Sequence, residues 1–322
     1  MLGVVLNALL PVVVTLGLGV IAGWRHDEDM KAALSLNRMV FLYALPLALF
    51  AGTVVIPRTE LLSDWALLLA ISAGTFAPFL AAYIGARTIF GRPMQASALQ
   101  AMAFGFPAIA FIGIPILTPL IGSKATIVVD VAGLTGNLVI LPVTLLLLSF
   151  GQTLVRSPDA GKPASGRAAI TATILPTLGD ALFQPVVLSP AIAILFVLIG
   201  LQTPAILTSS FKLLGSTVGG LSLFASGIIL RAQSPKFSLP ASASTLARLL
   251  LIPGLVYIGL TLTGADANLR KMSVLALAIP AAPMQVILAT RYHTDESENA
   301  AFLLYSYVLC IPTLAFFIWL TG

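Results

Sequence analysis

Long apolar runs alternate with short polar punctuation along this chain, and most runs approach the roughly 20 residues that a helix needs to cross a bilayer. They lie at Gly3–Gly23, Ala32–Val55, Asp64–Phe90, Met94–Ile121 and Lys124–Phe150, and then at Val186–Leu201, Ala205–Leu230, Ala241–Thr263, Leu269–Tyr292 and Asn299–Leu320. The pattern predicts an all-α polytopic membrane protein with ten transmembrane helices. Between the fifth and sixth runs, Gln152–Gly166 is rich in Pro, Gly and Ser and reads as a flexible linker. The less polar Arg167–Gln184 is expected to hold an interfacial helix. The expected organisation is therefore a first five-helix repeat over 1–151, a cytoplasmic linker over 152–185, and a second five-helix repeat over 186–322. Gly3–Gly23 follows no basic stretch and precedes no small-residue cleavage site, so it reads as a retained span.

Two of the runs carry proline near their middles, at Pro107 and Pro115 in the fourth and at Pro280 and Pro283 in the ninth. Proline removes a backbone donor and clashes with the preceding turn, so these four positions are expected helix breaks. Freed backbone groups inside a bilayer need a protein-lined or watery cavity. A helix that restarts there offers unpaired amides with about half a positive charge, which suits an anion. The first break would use Gly105, Phe106, Pro107 and Ala108. The second would use Pro283 leading into Met284 and Gln285, and Gln285 is the leading side-chain candidate because it both donates and accepts.

An odd number of spans on each side of the linker turns the second half upside down relative to the first. Pairs such as Pro11 with Pro190, Leu47–Ala51 with Leu221–Ala225, Pro107 with Pro283 and Pro142 with Pro312 recur in span order, about 175 residues apart. Interrupted segments at matching places of an inverted repeat point to a transporter's substrate site.

Composition narrows the class. With 58% hydrophobic and 9% charged residues and a mean hydropathy of +1.04, the chain is far from a soluble domain, in which about a quarter of residues are charged. The formal charge of +5 reports topology, not nucleic acid. With the N-terminus outside, 12 of the 17 basic residues fall on the cytoplasmic side, so both termini are expected to be extracytoplasmic in an inner or plasma membrane. The single cysteine, Cys310, and the two histidines, His26 and His293, make no metal-ligand spacing, and no phosphate-binding loop is present. No enzyme activity, cofactor or metal is expected. The acidic turn at Asp295, Glu296 and Glu298 reads as solvated, and Arg248 as a side chain snorkelling from a span end. Asp130 is the acid deepest in a run and a candidate for ion coupling, with Asn137 and Asn37 as candidate polar support.

The chain resembles the auxin efflux carrier family, which includes plant PIN transporters and bacterial members. The resemblance rests on Leu36–Phe41, Ala44–Phe50, Gly105–Pro107, Phe111–Pro115, Leu223–Gly227 and Ile279–Pro283, taken in order and spacing. It implies a fold like that of bile-acid sodium symporters, with two inverted five-helix repeats, crossing broken helices four and nine, and an elevator motion. It also implies a homodimer that moves a small organic anion, with Pro107 and Pro283 as the crossing prolines. Two departures stand out. Family members often carry asparagine where this chain has Ala108, and the sodium-binding glutamate of the related fold is replaced by Ala281 and Ala282. The alternative to a transporter is a ligand-binding membrane receptor that uses the same crossing. A sensor would need an output domain, which the linker is too short to hold.

Overall fold

A computed structural model of the chain describes residues 2–25, 29–55, 65–156, 183, 185–233 and 239–322. Most of the expected linker and all of its expected surface helix except Phe183 lie outside the described residues. The described chain is helical throughout, apart from turns and one isolated backbone bridge. We label α1 Leu2–Trp24, α2 Met30–Met39, α3 Leu45–Thr53, α4 Trp65–Thr88, α5 Met94–Gly105, α6 Ile109–Ile121, α7 Ala125–Thr135 and α8 Leu141–Arg156. After the linker come α9 Pro185–Ile199, α10 Ala205–Gly215, α11 Thr217–Gln233, α12 Leu239–Leu262, α13 Ala267–Leu277, α14 Met284–Tyr292 and α15 Glu296–Thr321.

Six described stretches are long and apolar enough to cross a membrane: Met30–Thr53, Trp65–Thr88, Ile127–Gln152, Ala205–Ala232, Ala241–Leu262 and Glu296–Thr321. Two of these contain a π-helical turn, at Val40–Ala44 and Gly136–Ile140, which joins α2 to α3 and α7 to α8 without a break. Two shorter apolar helices, Val13–Trp24 and Leu188–Ile199, fall below that length. The expected fourth and ninth spans are each divided, into α5 and α6 and into α13 and α14, so neither is one continuous helix.

The polar ends of these helices are set by local chemistry. The Asp29 carboxylate accepts from the Ala32 amide at 2.9 Å, and Asp266 accepts from the Asn268 amide at 2.9 Å, so each caps the helix that follows it.

Packing sorts the helices into two groups. In one, α1 lies along α11, while α9 and α10 lie along α3 and α11 along α2. Glycine lets α1 and α11 meet at backbone distance, because a Cβ on Gly19 would collide with the Phe224 carbonyl and one on Gly227 with the Leu16 carbonyl. In the other group, α4 packs on α5 and α7, α12 on α13 and α15, and α8 on α5. Their shared core includes Leu99, Met102, Ile116, Leu275, Ile287 and Leu314, all fully enclosed.

Candidate functional site

The two interrupted spans meet at their interruptions. α5 stops at Gly105, Phe106 is extended, and α6 restarts after Ala108. α13 stops at Leu277, and α14 restarts after Pro283. Pro107 and Ala281 face each other in an antiparallel bridge. The Ala108 amide donates to the Pro280 carbonyl at 2.7 Å, and the Ala282 amide donates to the Phe106 carbonyl at 3.0 Å. Unpaired backbone groups are costly away from water, and here each break supplies the partners that the other lacks. Pro107, Pro280 and Pro283 contribute no N–H that would need a partner.

The next carbonyls along the second break are also satisfied. The Arg248 guanidinium on α12 donates through Nη1 to the Ile279 carbonyl at 2.6 Å, and the Cys310 thiol on α15 donates to the Ala278 carbonyl at 3.7 Å. Close approach at the first break depends on Gly105, where a Cβ would lie 2.7 Å from the Thr75 carbonyl of α4. Beside it, the Phe106 ring rests on Gly136, in the space a side chain there would occupy.

Pro115 does not act as a break, since α6 runs through it from Ile109 to Ile121. Pro78, Pro253 and Pro312 likewise sit inside continuous helices. One proline costs a helix one hydrogen bond, whereas the interruptions at Phe106–Ala108 and Ala278–Pro283 are held open by bonds to another segment.

A cavity of about 320 Å³ opens beside the crossing, a volume at the lower end of the range for small-molecule sites. Its walls come from both helix groups. Ala48 and Thr53 of α3 and Ser216 between α10 and α11 line one side, while Phe106, Asp130, Asn137 and Met284 line the other. Asp130 and Asn137 are partly buried there.

The structure thus gathers four of the sequence-predicted residues at one cavity and leaves the others elsewhere. Gly105, Pro107, Ala108 and Pro283 are buried in the crossing itself. Gln285 turns away from the cavity, and its Nε2 donates to the Asn299 carbonyl of α15 at 3.5 Å. Asn37 ties α2 to α14, donating to Thr290 Oγ1 at 3.3 Å. Arg248 does not snorkel. It is 1% exposed and reaches the second break, a role the sequence reading missed. The signal was its position nine residues into α12, about 13 Å from the helix start at 1.5 Å per residue.

The acidic turn is likewise not simply solvated. Arg92, between α4 and α5, donates to Gln100 Oε1 at 2.9 Å, to Asp295 at 3.1 Å and to both carboxylate oxygens of Glu298. Partial burial opposes the Arg92 charge, but the Glu298 and Asp295 carboxylates outweigh it and raise its pKa above the ordinary guanidinium value. A larger open groove of about 1360 Å³ runs between α4 and α12, lined mostly by small apolar residues with Arg92, Gln100 and Glu298 among its few polar ones. None of the crossing residues from Phe106 to Ala108 or Pro280 to Pro283 lines it.

Apolar spans, two mutually bonded helix breaks and a cavity walled by two helix groups together describe a multi-pass membrane protein built around a central crossing. Residues 4–318 match the family described as "Membrane transport protein", and the chain belongs to that family, the auxin efflux carriers of the resemblance above. It is a family of transporters, not of enzymes. The chain is similar to the "Uncharacterized transporter YfdV" of Escherichia coli (strain K12), with 29% identity over 327 residues that cover 100% of this chain and 99% of the relative. The YfdV proteins of Escherichia coli O157:H7 and Shigella flexneri match it to the same extent.

Proposed function

We propose that the chain is a secondary transporter, an exporter or facilitator, of a small organic anion such as a carboxylate, working by an elevator form of alternating access. The observation that carries this reading is the reciprocal bonding of the Phe106–Ala108 and Pro280–Ala282 breaks beside a cavity of about 320 Å³. Paired broken helices whose free ends face a mid-span cavity are the usual substrate site of secondary transporters. The cavity lies between two helix groups, which supports movement of the group holding α5–α6 and α13–α14 against the group holding α3 and α10–α11.

Ten crossings arranged as two inverted repeats complete the proposal. Six continuous spans, two shorter apolar helices and two divided spans add up to that number. The packing supports an internal pseudo-two-fold axis, because α1 on α11 is matched by α9 on α3, and α4 on α5 by α12 on α13. Both termini lie outside the cytoplasm in this scheme, and the working unit is a homodimer. Purified protein in liposomes should take up mono- or dicarboxylates from a mixed panel of solutes. Uptake of a cation or a neutral solute, with every carboxylate refused, would overturn the anion reading.

A further inference from the structure

Arg248 carries a full charge at a position where almost any other residue would be cheaper. It is 1% exposed, its Nε is buried without a hydrogen-bond partner among the described residues, and it forms no ion pair with a described carboxylate. Its hydrogen bond goes to the Ile279 carbonyl, just past the carboxyl end of α13. A cation is favoured there because the last carbonyls of a helix carry about half a negative charge.

The poles at the crossing can be counted. α6 and α14 begin there with about half a positive charge each, and α5 and α13 end there with about half a negative charge each. Those four poles cancel, so helix ends alone make no anion site. At the carboxyl end of α5, Thr75 and Phe79 pack against Gly105. The side-chain charges beside those poles are Asp130 on the cavity wall and Arg248 at the second break, so Arg248 is the positive charge that keeps the crossing from being net negative.

Resting on the transport reading above, we infer that Arg248 sets the charge of the crossing: its guanidinium cancels the negative pole of α13, holds the Ala278–Ile279 turn, and leaves the amino ends of α6 and α14 free to select an anion. Arg248 is a positioning and specificity-determining residue. It lies outside the set lining the cavity and acts through the break that it caps.

The chain carries its own reporter for the positioning half of this inference. Cys310, the only cysteine, is fully buried against the Ala278 carbonyl on the same turn. In liposomes, N-ethylmaleimide should label wild-type Cys310 slowly. Arg248→Gln should speed labelling by about tenfold, the scale of losing one hydrogen bond from a charged donor. Equal labelling rates in the two proteins would overturn the positioning role, whatever the substrate proves to be.

The charge half is read by uptake of succinate and benzoate against their amides, succinamide and benzamide. Arg248→Gln should lower the acid-to-amide preference by about tenfold, the size of a favourable partly buried charge–helix interaction. Arg248→Lys keeps the charge and should keep the preference, and it remains informative if the glutamine variant does not fold. An unchanged preference in Arg248→Gln, or a collapsed one in folded Arg248→Lys, would overturn the charge-setting role. Should the wild type refuse both acids while taking up their amides, the charge-setting role fails, the wider panel above decides the anion reading, and the labelling result still decides the positioning role.

Discussion

The amide of Ala108 donates to the carbonyl of Pro280 at 2.7 Å, so the first broken span is stitched to the second by backbone alone. This bond can be removed without touching a side chain that lines the cavity. Ala108 has φ −72°, within the range of proline, so Ala108→Pro removes the donor and sets the ring Cδ against the Pro280 carbonyl. Leaving a buried carbonyl unpaired costs about 1–3 kcal/mol. Ala108→Pro should lower Tm in detergent by several degrees, whereas Ala108→Ser should not. An unchanged Tm in Ala108→Pro would show that water replaces the bond and that the crossing is wet.

Gln285 tests whether the residue beside the second break touches substrate or only packs. Its Nε2 bonds to Asn299, while its Oε1 is buried without a partner among the described residues. Exchanging such a half-satisfied amide for an apolar side chain of similar shape is close to neutral. Gln285→Met should keep both Tm and the KM of uptake near wild-type values, and Gln285→Ala should lose stability by leaving a void. A raised KM in Gln285→Met at unchanged Tm would return Gln285 to the substrate site.

How far the sequence carries depends on whether the cause is local. Pro107, Pro280 and Pro283 announce interrupted helices because the missing N–H is a property of the residue itself. Whether a given proline breaks a helix depends on a partner segment, so Pro115 cannot be separated from Pro107 by reading along the chain. Gln285 and Met284 differ by one helical step of 100°, and which of them faces the cavity is set by how α14 is rotated in its packing. Arg248 was legible by depth, but its target, the Ile279 carbonyl, exists only once α12 and the second break are side by side. The link from Arg92 to Asp295 and Glu298 likewise joins distant turns that only the fold brings together.

Asp130 lines the cavity that we assign to an anion, so its ionised form opposes the substrate and its protonated form does not. The sign follows directly. Asp130→Asn removes that charge at nearly constant size and should raise carboxylate uptake above wild type. Uptake measured in liposomes at matched internal and external pH separates this effect from a proton gradient. Uptake unchanged in Asp130→Asn would show that the Asp130 charge does not reach the substrate.

Arg92 holds the turn before α5 to the start of α15, through the N-cap residue Asp295 and Glu298 in the first turn. Those carboxylates raise its pKa above the ordinary guanidinium value. For a base with a raised folded-state pKa, the added stability is complete below the unfolded pKa and is lost only as pH rises past the folded one. Arg92 itself therefore brings no pH dependence in the physiological range, and substitution or salt is the right probe. With side-chain exposures of 23% for Arg92, 38% for Asp295 and 41% for Glu298, the network is partly screened and should contribute about 1 kcal/mol. Arg92→Gln should lower Tm by a few degrees, and raising the salt should narrow the gap to wild type by weakening the wild-type pairs. Glu298→Gln should do the same, and the double variant should lose less than the two losses added, since both delete one interaction. Strict additivity would mean that Arg92 and Glu298 stabilise the two turns independently and that the connection between them is incidental.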